Sequence, residues 1–403
     1  MGDGAGSETA SWEMLPQHLL VSVFSYLPLI DRLHAALTCK VWNNCLKHPV
    51  LWRRFVCKFT QPFHEKVLVP IEQHGHRIRS LVVEVNQEDV DNRSHACQAL
   101  RSIAENPQRK LSSITIHFLG QNPLFYAGAE FTAELQRLFG VHRDNTEPYS
   151  YLTEVDLSGL DIAFDDTLFD LLSQHHPHLQ SFNIQNKSLV CKVSSRCMLR
   201  LVTRCRKLKD LRVFHLSLTD EVLLAVAETE EPSLQHLSII FRRDTKYQHD
   251  LSSEAWSVLV KKIPRLRVTL GFDHTCPLNR ISEVMKAEIP VTTLRLETFT
   301  RIYEEVNQAT TFYHKTLEKV VLQTRNSEEL ERALIRMAEN SPRLRCLKVF
   351  CVLRPEAVER ILELLPDMKR SGNYILKSQM EEGPWVVGVE TDEEAHGRLG
   401  APK

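Results

Sequence analysis

A short apolar pattern recurs along most of this chain and constrains its fold more than any other feature. Each copy has the form apolar-x-x-apolar-x-apolar, so its last two apolar side chains alternate as they do in a β-strand. From Phe182 onward the middle positions are about 26 to 31 residues apart, a period that indicates a repeat architecture. The copies are Ile78/Leu81/Val83, Leu111/Ile114/Ile116, Leu152/Val155/Leu157, Leu179/Phe182/Ile184, Leu208/Leu211/Val213, Leu234/Leu237/Ile239, Leu266/Val268/Leu270, Val291/Leu294/Leu296, Leu317/Val320/Leu322 and Leu344/Leu347/Val349.

Helix-like stretches lie between these copies, which predicts an α/β chain of alternating strands and helices. One strand–helix unit cannot enclose its own apolar faces, whereas stacked units bury them against one another. An ordinary α/β sheet with crossover helices is the alternative, but it does not require so many units of matching length. The predicted helices are Phe164–His175, Ser195–Cys205, Asp220–Glu230, Ser253–Ile263, Ile281–Ile289, Glu304–Tyr313, Glu328–Asn340 and Pro355–Leu365.

The segment from Trp12 to Arg54 has a helical rather than a strand-like pattern. Pro16 stands where a first helical turn tolerates a missing N–H, and Pro28 ends the helix that follows it. Asp31 is placed to cap a second helix. A third helix is predicted from Lys40 to Leu46.

This N-terminal segment has more large apolar side chains than about forty residues can enclose. Apolar groups left on a helical face indicate a helix-in-groove contact with another protein. The same residues would also suit the N-terminal cap of the repeats, and periodicity leaves both interpretations open. Residues 55–77, broken by Pro62 and Pro70, are predicted to be a semi-rigid connector.

Charge and hydropathy limit the classes of partner. The chain has 50 basic and 51 acidic side chains and a formal net charge of −1, so neither nucleic acid nor a membrane is favoured as a partner. No apolar run approaches the roughly 18 residues that a bilayer span needs. The first eleven residues are small, polar and acidic, which predicts no secretory signal. We therefore expect a cytoplasmic or nuclear protein.

No motif predicts catalysis, a metal or a cofactor. The ten cysteines lack Cys-x-x-Cys spacing and are predicted to be reduced thiols in apolar segments. His175-His176-Pro177-His178 has no cysteines or carboxylates at zinc spacing beside it, so a solvated turn is preferred. The basic run from Arg204 to Lys209 is interpreted as a solvated edge. Arg and Lys on a concave strand face could still bind a phosphorylated target.

The N-terminal segment resembles an F-box, because its residues stand at that family's spacing without a gap. They are Leu15-Pro16, Leu19-Leu20, Phe24-Ser25-Tyr26-Leu27, Asp31-Arg32, Ala35-Ala36-Leu37-Thr38-Cys39-Lys40, Val41-Trp42, Pro49 and Leu51-Trp52-Arg53. The resemblance implies docking on the Skp adaptor of a cullin-RING ubiquitin ligase. The candidate docking residues, some of which must instead fill the F-box core, are Leu15, Pro16, Leu19, Leu20, Phe24, Leu27, Val41, Trp42, Leu51 and Trp52.

The repeats resemble the leucine-rich repeats of F-box proteins, and the stretch from Leu208 to Ala227 is the best copy. Most copies depart from the family at the Asn or Cys ladder position. Short landmarks, including Glu254-Ala255-Trp256 and Phe350-Cys351-Val352, resemble the group of F-box and leucine-rich repeat protein eight.

Five regions are predicted from these features. They are a disordered N-terminus (1–11), an all-α F-box (12–54), a connector (55–77), a leucine-rich-repeat solenoid (78–370) and a C-terminal cap with a partly disordered tail (371–403). The resemblance implies a non-catalytic substrate-recognition subunit of an SCF (Skp–cullin–F-box) ubiquitin ligase, whose repeats bind a protein target. A ligase-independent adaptor or scaffold is the alternative.

Overall fold

The structure, a computed structural model, describes residues 15–60, 67–122, 128–140, 150–188, 190–229, 231–243 and 250–378. The disorder expected for residues 1–11 and for the end of the tail concerns residues outside these ranges. The helices are α1 (Gln17–Ser25), α2 (Leu29–Ala36), α3 (Lys40–Leu46), α4 (Leu68–His74), α5 (Val90–Ala104), α6 (Ala129–Phe139), α7 (Asp166–His175), α8 (Ser195–Arg204), α9 (Asp220–Ala227), α10 (Ser253–Lys262), α11 (Leu278–Val284), α12 (Tyr303–Tyr313), α13 (Glu328–Asn340), α14 (Pro355–Leu364) and α15 (Pro366–Ser371).

The strands alternate with these helices after the first three. They are β1 (Arg54–Phe59), β2 (Ser80–Val85), β3 (Ser113–Phe118), β4 (Glu154–Gly159), β5 (Ser181–Asn183), β6 (Asp210–Phe214), β7 (His236–Phe241), β8 (Arg267–Phe272), β9 (Val291–Glu297), β10 (Lys319–Gln323), β11 (Cys346–Val352) and β12 (Tyr374–Lys377). A short 3-10 helix, Pro49–Trp52, lies between α3 and β1. The prediction of a helical N-terminal segment followed by α/β repeats is confirmed.

The chain divides into two compact units. The first comprises residues 1–238 and 261–266, and the second comprises residues 239–260 and 267–403. In the first unit β1 to β6 are parallel, and each pairs with the next strand in chain order. In the second unit β8 to β12 are parallel and follow chain order in the same way.

The alternating pattern of each strand places one set of side chains in the core. In β2 the side chains of Leu81, Val83 and Val85 are fully buried. Successive side chains of a strand point to opposite faces, so the residues between them lie on the other face of the sheet. The apolar triplets that recur in the sequence are therefore the inner face of the repeats.

Backbone hydrogen bonds fix the start of each strand in the first unit. The carbonyl of a residue just before one strand accepts the N–H groups of two consecutive residues at the start of the next strand. Buried backbone N–H groups need hydrogen-bond acceptors. Because both donors of each strand share one acceptor in the preceding repeat, this ladder of bonds fixes the register of that strand relative to the preceding one. We call it the entry ladder; its acceptors are Arg53, Arg79, Ser112, Thr153, Gln180 and Lys209, with N···O distances of 2.7–3.0 Å.

Side-chain amides join neighbouring repeats at the other end of the strands. The amide of buried Gln87 donates to the carbonyls of Gly120 and Asn122, and its oxygen accepts the N–H of Gly120. The amide of Asn186 donates to the carbonyls of Leu160 and Ile162, both at 2.8 Å. These two residues bridge adjacent repeats although they do not occupy the family's Asn or Cys position.

Residues 55–77, predicted as a connector, contain regular structure. Phe55, Cys57 and Phe59 are buried in β1, which pairs with β2 along its whole length. Pro70 lies in the first turn of α4, where a missing N–H is tolerated. The first strand of the sheet therefore begins directly after the N-terminal helices.

Two local predictions differ from the structure. The helix predicted at Ile281–Ile289 is α11, which ends at Val284, because buried Met285 and Ile289 extend the apolar pattern into a turn. Asp31 was predicted to cap the second helix, but Pro28 occupies that position and Asp31 lies in the first turn.

His176 is buried rather than solvated, which corrects the expectation for the histidine cluster. Its Nδ1 accepts the N–H of Leu152 at 3.0 Å, just before β4. Burial, together with the nearby charge of Arg109, lowers the pKa of His176 to about 3. A neutral ring is therefore part of the repeat core.

Acidification tests this role of His176. The unfolded chain takes up a proton on this residue near pH 6.5. Between pH 6.5 and the folded-state pKa of about 3, the unfolded state binds more protons. The free energy of unfolding therefore falls as the pH drops below about 6.5. Between pH 7.5 and pH 5.5, urea titration should show that the wild type loses about 1 kcal/mol more than His176→Gln. Equal losses would contradict the buried neutral ring.

Candidate docking surface of the N-terminal helices

The three N-terminal helices pack around a small core. Leu20 and Phe24 on α1 are almost completely buried, and the ring of Phe24 meets Trp42 of α3 edge-on, with centroids 5.4 Å apart. Such edge-on aromatic pairs are favourable beyond the area that they bury. One face of α1 therefore belongs to the core of this domain.

Arg32 holds the ends of these helices together. Its Nε donates to the carbonyl of Leu27 at 2.7 Å, Nη1 to that of Leu51 at 2.7 Å and Nη2 to that of Ser25 at 3.0 Å. Carbonyl groups near the end of a helix lack partners within the helix, so the guanidinium satisfies them. Burial lowers the pKa of Arg32 from its ordinary value. This one side chain links α1, α2 and the 3-10 helix.

Trp52 joins these helices to the first repeat. It is buried, its Nε1 donates to the carbonyl of Leu46, and its ring stacks on His74 of α4 with centroids 3.9 Å apart. Arg77 Nη1 also donates to the carbonyl of Lys47 at 2.6 Å. Burial lowers the pKa of His74 to about 4, with the charge of Arg77 as a smaller cause. The helices and the first repeat therefore share packed and hydrogen-bonded contacts.

A second face of the same helices carries apolar side chains exposed to solvent. Leu19, Val23 and Tyr26 follow one another at i, i+4 and i+7 on α1 and at its end, so they share one face. Ile30 and Leu37 are seven residues apart on α2 and at its end. We call the following set the exposed apolar residues, whose relative exposure is 41–81%: Leu19, Val23, Tyr26, Ile30, Leu37, Val41 and Val50.

The structure divides the ten candidate docking residues into three groups. Four are buried: Leu20, Phe24, Leu51 and Trp52. Three are half-buried, namely Leu15, Leu27 and Trp42, and three are exposed, namely Pro16, Leu19 and Val41. Val23, Tyr26, Ile30, Leu37 and Val50 are exposed but were absent from the candidate set.

The described residues contain no group of three or more His, Cys, Asp or Glu side chains that could hold a metal ion. Eight of the ten cysteines are buried, and none of the ten, all of which lie within the described residues, forms a disulfide. Burial raises the pKa of Cys97, Cys197, Cys205 and Cys351 to about 12, which disfavours the reactive thiolate form. Among the helices within the described ranges, none is long and apolar enough to cross a membrane.

Comparison with known proteins agrees with this architecture. The F-box-like family matches residues 12–58, which contain α1, α2, α3 and most of β1. The chain therefore combines an F-box-like domain with α/β repeats of the leucine-rich type.

Over most of its length the chain is homologous to F-box/LRR-repeat proteins 8 and 21. It is 27% identical to F-box/LRR-repeat protein 8 of Bos taurus over 375 residues, covering 93% of this chain and 97% of the bovine protein. It is 26% identical to the Homo sapiens protein of that name over 382 residues. F-box/LRR-repeat protein 21 of Mus musculus is 26% identical over 277 residues, covering 65% of this chain and 59% of the mouse protein.

Replacement of Arg32 tests its role in joining the helices. In Arg32→Lys a single ammonium replaces the guanidinium fork, so we expect to lose two of the three carbonyl contacts and about 1–3 kcal/mol of local stability. Hydrogen exchange of the α1–α3 backbone amides should become faster by the factor that corresponds to this loss of local stability. Arg53→Lys is the control, because Arg53 contributes its backbone carbonyl to the entry ladder and its side chain is exposed. Equal exchange rates in both variants would contradict this role.

Proposed function

We propose that this chain is the substrate-recognition subunit of an SCF ubiquitin ligase. The F-box-like domain docks on the Skp adaptor, and the repeats bind a protein that becomes ubiquitinated. The chain itself supplies no chemistry in this proposal. It acts by holding the target near a separate ubiquitin-transferring enzyme. This raises the effective concentration of the target at that enzyme.

The observation that carries the proposal is the second apolar face of the N-terminal helices. A small helical domain exposes single apolar residues without consequence, but a set that follows helical spacing indicates a protein interface. Leu19, Val23 and Tyr26 on α1 have this spacing, and the opposite face of α1 is already used by the core. We propose Pro16, Leu19 and Val41 as docking residues together with the remaining exposed apolar residues.

The buried candidates have a different role in this proposal. The packing of the domain depends on the buried residues Leu20, Phe24, Leu51 and Trp52. Substituting them would unfold the domain rather than remove a contact with the adaptor. The half-buried residues Leu15, Leu27 and Trp42 contribute to the core and also present part of their surface to the adaptor in this proposal. A binding defect is therefore informative only for the exposed positions.

Two exposed residues test the docking surface. In the double variant Leu19→Ala/Val41→Ala, affinity for the purified Skp adaptor should fall by at least about tenfold, because apolar contact area is lost at two interface positions. The temperature of unfolding should stay within about 2 °C of the wild type, since both side chains are already exposed. Biolayer interferometry and differential scanning calorimetry measure the two quantities.

The matched control is Val90→Ala/Val258→Ala, which removes two exposed apolar side chains from α5 and α10. Its affinity for the adaptor should equal that of the wild type. If the affinity of Leu19→Ala/Val41→Ala for the adaptor is unchanged, these residues do not contribute to docking. Recovery of the adaptor without any cullin from cells that express the wild type would instead favour a ligase-independent scaffold.

A further inference from the structure

The strands of the second unit expose an excess of positive charge. Four cations occupy positions that alternate with buried core residues, and a fifth lies at the end of half-buried β12. Glu297 is the one carboxylate at such a position on β8 to β12. Arg267 pairs with Glu318, which precedes β10, at 2.5 Å, and Arg295 pairs with Glu297 at 2.6 Å. We call the following five residues the cationic strand face: Arg267, Arg295, Lys319, Lys348 and Lys377.

The equivalent positions of the first unit have the opposite balance. These positions of the first unit hold three cations and four carboxylates. The cations are Arg54, Lys58 and Arg212, and the carboxylates are Glu84, Glu154, Asp156 and Asp210. Lys58 pairs with Glu84 at 2.7 Å, and Arg212 pairs with Asp210 at 2.7 Å. The excess of cations is therefore particular to the second unit and does not follow from the repeat pattern.

The three lysines form a diagonal line on successive strands. Lys319 pairs in register with Cys346, and Lys348 lies two residues further along β11. Lys348 pairs with Ile375, and Lys377 lies two residues further along β12. Strands about 4.8 Å apart and a rise of about 3.3 Å per residue place the Cα atoms of Lys319 and Lys348 roughly 8 Å apart. The step from Lys348 to Lys377 is longer, because the register shifts between β11 and β12 and Lys377 pairs with Val352, four residues beyond Lys348.

The spacing of Lys319 and Lys348 suits carboxylates at alternate positions of an extended peptide, and Lys377 can reach a carboxylate further along it. Side chains at alternate positions of an extended chain point the same way and are about 6.6–7 Å apart. Half-buried Phe350 and Ile375 lie on the same face of β11 and β12 as the lysines, where they can contact apolar groups of such a peptide. The face therefore offers charge and apolar area in one strip.

We propose that the cationic strand face binds an extended segment of the target protein in which acidic residues occupy alternate positions. The inference rests on the proposed function, in which the repeats hold the target. It depends on the excess of cations over carboxylates and not on any one cation being without a partner. Long-range attraction between this face and an acidic segment also accelerates association and makes it salt-dependent.

A defined peptide tests the inference with the full-length chain. The probe is a fluorescein-labelled peptide of nine residues with glutamate at alternate positions and serine or valine between them. A peptide of the same composition with its glutamates clustered is the sequence control. We expect the wild type to bind the alternating peptide more tightly, as measured by fluorescence anisotropy, and to lose affinity as salt is added.

Two triple variants with the same change of charge locate the binding. Lys319→Gln/Lys348→Gln/Lys377→Gln should weaken binding by about tenfold, on the scale of several exposed charge pairs. Lys286→Gln/Lys315→Gln/Lys369→Gln, in turns and helix ends of the same unit, should change it by less than about twofold.

Three results would overturn the inference: no binding of the alternating peptide by the wild type, equal weakening in both variants, or tighter binding of a single-stranded DNA oligonucleotide. Capture of the Skp adaptor, measured in the same preparations, reports separately on the proposed function. If adaptor binding is intact while peptide binding fails, only this inference is wrong.

Discussion

The entry ladder is the interaction on which the first unit depends. Each rung uses one carbonyl to accept two N–H groups of the following repeat, so the next strand cannot slip without breaking both hydrogen bonds. A slip of one residue would also turn the apolar triplet away from the helices and place polar residues in the core. Backbone geometry and side-chain pattern therefore specify the same register, and Gln87 and Asn186 reinforce it at the opposite end of the strands.

The fold could be predicted from sequence wherever its period is strong. The ten apolar triplets correspond to β2 through β11, and Glu328–Asn340 has the predicted bounds, because both depend on alternation or a helical stripe within one element. Prediction failed where apolar residues serve a turn, as Met285 and Ile289 do after α11. It also missed β1, because the alternating residues Phe55, Cys57 and Phe59 are followed directly by a sequence that Pro62 and Pro70 interrupt.

The candidate site was less predictable because α1 is apolar on two faces. Leu19 and Leu20 are adjacent and chemically identical, yet one is exposed and the other is fully buried. Periodicity cannot assign them, since the choice depends on where α3 and the 3-10 helix pack. Arg32 and His176 show the same limit for polar residues. Each bonds to backbone groups distant in sequence, Leu51 and Leu152 respectively, and no local pattern records such a partner.

The position of Arg53 determines how the N-terminal helices are connected to the repeats. Its carbonyl is the first rung of the entry ladder, and it directly follows Trp52, which is packed against both the helices and α4. Within residues 46–59, all of which the structure describes, packed and hydrogen-bonded contacts thus join the N-terminal helices to the repeats of the first unit. Anything held on the strands of this unit would stand at a fixed distance and angle from a protein docked on α1. In the proposed function, one repeat more or fewer in the first unit would change that distance by about one strand spacing, ~4.8 Å.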